Sequence, residues 1–546
     1  MLRRFLSAVA LVAAVAALSL AGGCSRPRKL TRVEEGNHDG ILHLGNASEP
    51  RELDPQVSTG IPEFTILHAI GEGLVNADGK DLHSTPGVAE SWEVSPDGLA
   101  YTFHLRAGLA WSDGSSLRAR DFVESYRRVL SPKLAAEFSY YLWVLRNAEA
   151  YNKGTITDFD TVGVHAPDER TVRLDLAHPT PYLLNLLMQR TCYPVPTHHI
   201  AKFGALDDRA NVAWTRPENF VGNGAFVLAE WRQHQQIVVR PNPRYWNAGT
   251  VRLREIHFYP IDSTDTEERN FRAGLLHKTA SSALGANKVD TYRRTHRELL
   301  RIDPYLGTYY FLLNIARPPL DDVRVRRALA MSVDRESIVR NVTRADQQPA
   351  GSFVPRVTPG YRPQATIPYD PAAARRLLAE AGHPGGAGLG PMDVIFNTSE
   401  NHRQLAEAVQ QMWKRELGID VRLNNQEWGV YLNARRAKDY TVARAGWIGS
   451  WLEASAFLEN FLSGSLNNHT GFADPEYDRL LAEAQRQVDP AAREALFQRA
   501  EAILLDAAPI VPMFDYTNAY LLRPNVQNWY PNVLDYHPYE DVWLKP

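Results

Sequence analysis

The chain has little of what marks several common classes of protein. Only two cysteines, Cys24 and Cys192, occur in 546 residues, which excludes a disulfide-stapled scaffold and a cysteine-based zinc site. Lys and Arg total 60 against 63 for Asp and Glu, so the chain has no basic surplus of the kind that favours nucleic-acid binding. Beyond Leu20, no apolar run is long enough to cross a bilayer.

Motifs of catalysis are missing as well. The sequence has no Gly-x-Ser-x-Gly elbow, no His-Glu-x-x-His pair and no phosphate-binding loop. The glycine-rich run 385–390 follows a predicted helix and precedes a predicted strand, the reverse of a dinucleotide fingerprint, so we expect a flexible loop. His198 and His199 have no third ligand at a suitable spacing and are expected at the surface. The sequence therefore predicts a protein that is not an enzyme and needs no cofactor or metal ion.

The N-terminus has the pattern of a targeting segment. Arg3 and Arg4 precede an apolar run over 5–20, and small residues then lead to Cys24. This pattern predicts a signal peptide over residues 1–23, and its Ala-Gly-Gly-Cys ending resembles a lipobox, which implies cleavage before Cys24 and a lipid on its sulfur. Plain secretion with cleavage nearby is the alternative. We expect a tether over 24–39, an unpaired Cys192, and a periplasmic or otherwise extracytoplasmic body held at a membrane by the lipid.

The remainder has the composition of a globular α/β protein. The full chain, with 44% hydrophobic and 23% charged residues, suits two to four domains with a sizeable core. Residues 101–105 alternate between apolar and polar, which predicts a half-buried strand. A strand over 392–396, a helix over 402–417 and a strand over 419–423 predict a parallel strand pair with a right-handed crossover.

Residues 424–457 combine aromatic, cationic and glycine residues in a way that an ordinary core does not need. The residues concerned are Trp428, Trp447, Trp451, Arg435, Arg436, Arg444, Gly446 and Gly449. Aromatic walls, fixed charges and exposed backbone are typical of a pocket for a polar, chain-like ligand. A buried strand with a solvated basic flank is the alternative interpretation.

Six motifs resemble those of one protein family. They are Pro-Gly-Val-Ala-Glu-Ser-Trp at 86–92, Tyr-Thr-Phe-His-Leu-Arg at 101–106, Trp-Ser-Asp-Gly at 111–114, Asp-Pro-Tyr at 303–305, Asp-Val-Arg-Val-Arg at 322–326 and Val-Ala-Arg-Ala-Gly-Trp at 442–447. In one collinear register from about Leu42 to the C-terminus, the chain resembles the solute-binding proteins of peptide ABC importers (family 5, cluster C). The resemblance implies an α/β, periplasmic binding protein-like fold, with two large lobes joined by a hinge and an extra small α/β domain.

The resemblance also implies where the lobes divide. Domain I is expected to be discontinuous, over residues 40–60, 195–306 and 516–546. Domain II, the small extra lobe, is expected over 61–194, and domain III over 307–515. The ligand is expected between domains I and III, which close about a hinge near Tyr305–Tyr309 and Asp515.

Carried over position by position, the resemblance assigns a set of ligand-binding residues. These are Glu49, Tyr141, Asn397, His402, Trp428, Arg435, Arg444, Gly446, Trp447, Ile448 and Ser450. In this family the peptide is held as an added strand, so Gly446 and Ile448 are expected to offer backbone groups to it. Trp428 and Trp447 are expected to wall hydrated side-chain pockets that tolerate different residues.

The remaining positions of this set have other expected roles around the ligand. Glu49 is expected near the ligand backbone, and Tyr141 as an aromatic from the small lobe. Asn397 lies at a strand-to-helix turn that is expected to face the cleft. Arg435 and Arg444, with His402, are expected to bind ligand carboxylates, since a guanidinium pairs a carboxylate through two hydrogen bonds. A salt bridge within the protein is the alternative for each arginine.

Ser450 departs from the family pattern. At this position the oligopeptide binders place an aspartate that pairs with the free α-amino group of the ligand. A hydroxyl can accept a hydrogen bond but cannot neutralise an ammonium, and losing the partner of a desolvated charge typically costs about 3–5 kcal/mol. Glu49 and Glu453 are the candidates to replace the missing charge.

The sequence thus favours the extracytoplasmic component of a peptide ABC importer. It is expected to be a monomer that captures oligopeptides, including amino-blocked or modified ones, and delivers them to a permease driven by ATPase subunits. The same fold could instead bind a nickel chelate, a sugar-derived or an opine-like solute, because the amine anchor is missing. Two further hypotheses are a secreted peptidase, which would need a nucleophile or metal constellation, and a chaperone or sensor lipoprotein that has no transporter.

Overall fold

A computed structural model of the chain describes residues 29–280 and 284–546. The predicted signal peptide, Cys24 with its lipid, and residues 24–28 of the predicted tether lie outside the described residues. Among the described residues, no helix combines the length and the apolar character that a membrane span requires. The tether prediction is wrong over Arg32–Asp39, which form helix α1, because Thr31 and Glu34 cap its first turn reciprocally and Val33 is buried.

The strands and helices follow the α/β pattern. The strands are β1 (Ile41–Gly45), β2 (Val75–Ala77), β3 (Ser84–Pro86), β4 (Ala89–Val94), β5 (Ala100–Leu105), β6 (Val164–Asp168), β7 (Thr171–Asp175), β8 (Phe226–Arg232), β9 (Gln236–Pro241), β10 (Glu255–Tyr259), β11 (Leu300–Leu313), β12 (Gln348–Pro349), β13 (Met392–Asn397), β14 (Val421–Gln426), β15 (Val442–Ile448), β16 (Ile510–Leu521), β17 (Val526–Gln527) and β18 (Trp543–Leu544). The further α-helices are α2 (Ile61–Ile70), α3 (Ala119–Val129), α4 (Ala148–Asn152), α5 (Leu183–Leu187), α6 (Thr197–Ile200), α7 (Thr264–Arg272), α8 (Ala286–Thr295), α9 (Val323–Met331), α10 (Arg335–Ile338), α11 (Pro371–Glu380), α12 (Glu400–Leu417), α13 (Trp428–Arg436), α14 (Ser455–Leu458), α15 (Pro475–Arg486) and α16 (Pro490–Ala507). Ser139–Leu142 and Arg190–Cys192 are short 3-10 helices near the site described below.

A mixed sheet with the strand order β1-β10-β9-β8 forms one part of the molecule. β1 lies parallel to β10, and the other neighbours are antiparallel. Leu42 and Leu44 of β1 are buried with Phe226, Ile256 and Phe258 of its neighbours, so this sheet has its own apolar core.

An antiparallel sheet with the order β4-β5-β7-β6 forms a second part. Tyr101, Phe103 and Leu105 on β5 are buried, whereas the residues between them are half-buried, so the strand predicted from the alternation is confirmed. Phe122 and Tyr126 on α3 are buried in the same apolar cluster, which covers the sheet on that side.

A central sheet with the order β12-β16-β11-β15-β13-β14 forms the third part. β13 and β14 pair in parallel from Met392 opposite Val421 to Asn397 opposite Gln426, with α12 between them in the chain, so the predicted parallel pair is confirmed. The helix ends at Gly418, whose φ of 70° is a left-handed conformation that glycine adopts without strain.

Two long antiparallel strands, β11 and β16, connect the central sheet with the mixed sheet. They pair from Leu300 to Pro304 and again from Thr308 to Leu312, with an irregularity between. Beyond the first stretch, Lys278 bridges both Leu522 and Leu44, which joins these strands to β1. The interruption at residues 305–307 therefore lies where the two sheets meet.

Three smaller predictions can be compared with the structure. His198 is exposed as expected, whereas His199 is half-buried and its Nε2 lies 2.6 Å from the Asn219 carbonyl oxygen. The glycine-rich run lies in the turns between α11 and β13 rather than at a strand-to-helix junction, as predicted. Cys192 is buried and unpaired.

Candidate functional site

A cavity of about 590 Å³ lies where β1, the end of β15 and the C-terminal segment meet. Residues 45–48, at and after the end of β1, form one wall with α2, and the two 3-10 helices form another. Residues 447–450, at and after the end of β15, face these walls, and residues 534–537 complete the lining. Because the walls come from distant parts of the chain, only the tertiary fold creates this space.

The loop after β15 brings several predicted residues to this cavity. Tyr141, Trp447, Ile448 and Ser450 all line it. The Tyr141 hydroxyl donates to the Ser450 hydroxyl at 2.7 Å, and Gln189 Nε2 donates to the Ser450 carbonyl at 2.5 Å. Ser450 is therefore held by hydrogen bonds from neutral side chains, with its hydroxyl at the cavity wall.

The backbone of β15 has a free edge beside the cavity. Its antiparallel pairing with β11 continues to the hydrogen bond from Gly449 N to Leu306 O at 2.8 Å, so residues 443, 445 and 447 face β11. The N–H and C=O groups of Gly446 and Ile448 consequently point to the opposite edge. Within the described residues, β13 pairs with β15 only at Val442 and Ala443, which leaves that edge unpaired beyond them.

Arg444 lies in a polar cluster at the other end of β15. Its Nη1 donates to Asn397 Oδ1 at 3.4 Å and its Nη2 to the Tyr516 hydroxyl at 3.2 Å. Its guanidinium also lies over the ring of Tyr309 at 5.0 Å, and the Tyr309 hydroxyl lies 3.3 Å from His402 Nδ1. The structure thus brings Arg444, Asn397 and His402 together as predicted residues, with Tyr309 and Tyr516 added.

His402 is uncharged in this cluster. Burial lowers the pKa of His402 to about 2, and the positive charge of Arg444 acts in the same direction. The imidazole can donate or accept a hydrogen bond at neutral pH, but it carries no positive charge toward a ligand carboxylate. The expectation that His402 serves a carboxylate is therefore restricted to hydrogen bonding.

Helix α13 carries Trp428 and Arg435 beside this cluster. Trp428 is 45% exposed and stacks on Tyr431 with ring centroids 5.7 Å apart. The Arg435 guanidinium lies 5.6 Å from the centre of the same tyrosine ring, and the Tyr431 hydroxyl donates to the carbonyl oxygen of Arg444. Tyr431 therefore joins α13 to β15 and places Arg435 near Arg444.

Glu49 lies apart from the other predicted residues. Its carboxylate accepts hydrogen bonds from Trp231 Nε1 at 2.7 Å and from His234 N at 3.1 Å, both from the β8–β9 hairpin. Glu453 is also engaged, since Arg493 Nε and Nη2 donate to its two oxygens at 2.7 and 2.8 Å. Both carboxylates proposed to replace the missing aspartate thus already have partners within the protein.

Arg190 is a residue of the cavity wall that sequence reasoning missed. Its guanidinium lies 4.3 Å from the ring centre of Phe64 and donates to His68 Nε2. Burial lowers the pKa of Arg190, and the groups that oppose this shift most strongly are the phenols of four tyrosines. The available signal was that Arg190 is the only charged residue in the apolar run 182–196.

Lys278 and Asp535 also line the cavity and were not predicted. Burial lowers the pKa of Lys278, and the Asp535 carboxylate opposes that shift. The Lys278 ammonium lies 4.5 Å from the ring centre of Tyr520 and 5.1 Å from that of Trp529. These two charges compensate each other in the cavity lining.

Three arginines share an unusual feature in the part of the chain that the structure describes. Arg190, Arg435 and Arg444 are the arginines whose Nε atom is buried without a hydrogen-bond partner. Two of them were predicted as ligand-binding residues, and the third lines the cavity. Unused donors on guanidinium groups suit binding of carboxylates, because the planar fork can donate two parallel hydrogen bonds.

The described residues offer one group that could hold a metal ion. Asp78, Asp81 and His83 lie close together in the β2–β3 turn. Their polar atoms already bond one another and the turn backbone, with Asp78 Oδ1 accepting from Lys80 N at 2.8 Å and Asp81 Oδ1 lying 2.6 Å from His83 Nδ1. The group is at the surface and apart from the cavity.

Comparison with known proteins assigns the family. The family model described as "Bacterial extracellular solute-binding proteins, family 5 Middle" matches residues 84–469. The chain belongs to this family. The Escherichia coli periplasmic oligopeptide-binding protein OppA is 35% identical to this solute-binding protein over 537 residues, 96% of this chain and 95% of the relative. The E. coli periplasmic murein peptide-binding protein MppA is 36% identical over 487 residues, 87% of this chain and 88% of the relative.

Solved structures agree with this assignment. A structure of E. coli MppA superposes with a TM-score of 0.83 at 34% identity, covering 92% of this chain and 98% of that one. Haemophilus influenzae OppA in complex with the peptide RPPGFSPFR gives 0.82 at 33% identity, covering 93% and 99%. The TM-score falls to 0.73 for the unliganded open form of MppA, at 34% identity and with 93% and 97% covered. The predicted family and its α/β periplasmic binding-protein fold are confirmed.

Proposed function

We propose that this solute-binding protein captures oligopeptides outside the cytoplasm and delivers them, chemically unchanged, to the permease of an ABC importer driven by ATPase subunits. The names of its relatives support the ligand class, since OppA and MppA are named as oligopeptide- and murein peptide-binding proteins. In this proposal the protein acts as a monomer without enzymatic activity. The lipid on Cys24 holds it at a membrane.

The free edge of β15 carries this proposal. An extended peptide laid beside Gly446 and Ile448 would extend the central sheet, and its backbone would bond groups that are present whatever the peptide sequence. Trp447 lines the adjacent cavity of about 590 Å³, which would accommodate ligand side chains. Such an arrangement gives affinity through the main chain and tolerance through the pockets.

The two arginines beside β15 would bind the carboxylates of the ligand. Arg435 and Arg444 each have a buried Nε without a partner in the described part of the chain, and neutral aromatic rings surround both. Trp428 extends this wall toward solvent. Asn397 and the neutral His402 would help to orient the Arg444 side chain.

The arrangement of the sheets supports the proposed division into lobes. The mixed sheet falls within the expected domain I, the antiparallel sheet within domain II, and the central sheet mostly within domain III. The interruption between β11 and β16 at residues 305–307 is a suitable hinge, because pairing continues on both sides of it. The better superposition on the first MppA structure than on the open form supports a closed arrangement of the lobes here.

Masses of copurifying ligands test the ligand class. Native mass spectrometry of the protein purified from its own host should show bound species whose fragmentation gives amino-acid residues. Calorimetry with a mixed peptide library should then give saturable binding. Detection of no peptide by either method would overturn the proposal that the ligand is a peptide.

A change at Ile448 tests the added-strand geometry. Ile448→Pro removes an N–H that points to the free edge and leaves the β11 ladder intact, so peptide affinity should fall roughly five- to tenfold, the value of one hydrogen bond. Ile448→Val is the matched control, since it removes one methyl group and keeps the N–H. Equal affinities of the two variants in calorimetry would contradict the added strand.

A further inference from the structure

The cavity wall that holds Ser450 also holds a cation without a compensating carboxylate. Arg190 is adjacent in the chain to Gln189, whose side chain bonds the Ser450 carbonyl. Tyr141, which bonds the Ser450 hydroxyl, is among the phenols that act on the Arg190 guanidinium. Ser450 and Arg190 therefore belong to one local structure.

The charges that line the cavity do not balance. Its charged residues are Arg190, Lys278 and Asp535, and the last two offset each other. Two histidines also line the cavity, and burial lowers the pKa of both His68 and His537, so neither adds positive charge at neutral pH. The cavity is left with one net positive charge, which is that of Arg190.

The contacts of Arg190 do not use its hydrogen-bonding capacity. Its polar partner is the neutral imidazole of His68, and the ring of Phe64 covers one face of the guanidinium. Its Nε is buried without a partner in the described part of the chain, where no ion pair links Arg190 to a carboxylate. A buried donor without a partner is unfavourable, and an anion of the ligand would satisfy it.

The protein supplies no acidic group for a ligand ammonium at this wall, as far as the described residues extend. Glu49 bonds Trp231 and His234, and Glu453 pairs with Arg493. Ser450 itself is neutral and already accepts from Tyr141. A free ammonium placed here would meet the positive charge of Arg190 and no compensating carboxylate.

We propose that the ligand of this protein places a carboxylate at the wall formed by Ser450 and Arg190. Peptides with an acidic side chain there, or with an acyl group that carries a carboxylate, are then preferred over peptides that place a free ammonium there. This inference rests on the proposed peptide-binding function. The carboxylate can come from an acidic side chain or from an acyl group on the peptide nitrogen. Arg190 would donate two hydrogen bonds to it, with the Ser450 hydroxyl beside it.

Matched peptide pairs distinguish the two sources of the carboxylate. N-succinyl-Ala-Ala-Ala is compared with N-acetyl-Ala-Ala-Ala, and N-acetyl-Asp-Ala-Ala with N-acetyl-Asn-Ala-Ala, all with a free carboxyl terminus. Calorimetry on the full-length protein should show that the carboxylate member of at least one pair binds tighter by about tenfold or more, as expected for a charged hydrogen bond. Equal affinities within both pairs would overturn the inference and leave the proposed function standing.

Substitutions at Arg190 show whether this residue binds the carboxylate. Arg190→Gln should remove the preference within the pair by weakening the binding of the carboxylate member, whereas Arg190→Lys should retain part of the preference. Arg479→Gln on the exposed face of α15 is the control and should change neither affinity. Equal loss for both members of the pair in Arg190→Gln would overturn the inference.

The folding of the variant and the binding by the wild-type protein also have decisive outcomes. If Arg190→Gln does not fold, as judged by thermal melting, the preference of the wild-type protein and its weakening in Arg190→Lys decide the question. If the wild-type protein binds none of the four peptides and copurifies with none, the proposed function fails and this inference fails with it.

Discussion

Arg128 on α3 and Arg190 at the cavity wall both carry buried nitrogen atoms, yet their hydrogen-bond partners differ. Each nitrogen of Arg128 has a partner at 2.6 Å: Nη1 donates to Gln56 Oε1, Nη2 to Asp54 Oδ2 and Nε to the Leu206 carbonyl. Among the described residues, Arg190 has one polar side-chain partner, a neutral histidine, and its buried Nε has none. Arg128 ties α3 to the segment after β1, whereas Arg190 has a buried donor that the described residues leave unused.

The same contrast extends to other arginines. Arg493 pairs with Glu453, and Arg335 donates to the carbonyl oxygens of Val333, Ala330 and Pro512, so both are satisfied within the fold. Arg435 and Arg444 have aromatic and weak polar contacts and a buried Nε without a partner in the described residues. The fully satisfied arginines thus hold parts of the fold together, whereas the incompletely satisfied ones are those proposed above to bind the ligand.

The largest expected effect is on stability at Arg128. Arg128→Met leaves the Asp54 carboxylate buried without its partner, so the free energy of unfolding should fall by about 3–5 kcal/mol in urea denaturation. Arg190→Met, which removes a charge that has no carboxylate partner, should cost little or stabilise the protein. A comparable loss in both variants would contradict the distinction between the two arginines.

Two adjacent arginines on α13 provide a matched pair for affinity. Arg435 has a buried Nε without a partner, whereas Arg436 has no such buried atom in the described part of the chain. Arg435→Gln should weaken peptide binding roughly tenfold to hundredfold, the range for a charged hydrogen bond, and Arg436→Gln should leave it unchanged. Calorimetry with one peptide at fixed pH and salt measures both, and similar losses in the two variants would point to long-range electrostatics instead.

A substitution at position 450 tests whether this residue determines binding of the ligand's free amino group. Ser450→Asp should strengthen binding of peptides with a free amino terminus about tenfold and weaken that of succinylated ones, because the new carboxylate attracts an ammonium and repels an anion. Ser450→Asn, neutral and of similar size, serves as the control. An Asp variant that binds both peptides as the wild-type protein does would refute the assigned role of this position.

The smallest expected effect concerns His402. Its pKa of about 2 in the folded protein lies below the ordinary value, so the imidazole stays neutral as the pH rises from about 5.5 to 8 and contributes no titration to binding. His402→Gln should therefore leave the shape of the affinity–pH curve unchanged over this range. A step near pH 6.5 that disappears in the variant would show that His402 is charged in the cleft.

Much of the fold could be predicted from the sequence because its signals are local. The alternation in β5 and the strand–helix–strand order of β13, α12 and β14 depend on periodicity over a few residues, and the structure confirms both. The helix Arg32–Asp39 escaped notice because polar residues dominate it, although Thr31 and Glu34 have the spacing of a capping box. The six motifs were enough to identify the family.

The candidate site residues could be predicted only at positions that align with the motifs of the family. The collinear motifs indicated the β15 residues and Arg435. The structure places Trp447, Ile448 and Ser450 at the cavity and connects Arg435 to Arg444 through Tyr431. The orientation of the Glu49 side chain was not predictable, because its carboxylate binds Trp231, which lies in a hairpin far along the chain. Arg190 shows as a lone charge in an apolar run, but its role depends on the cavity that residues from distant segments enclose.

The sequence by itself determined the family, the α/β fold and the identity of Ser450, since these depend on residue types in order. Only the tertiary structure decided which charges are compensated. Arg128 and Arg190 have the same side chain, and the residues next to them in the sequence do not show which one is paired. Asp54 reaches the first and no carboxylate reaches the second in the described residues, because hydrogen bonding depends on the positions of atoms that chain folding brings together.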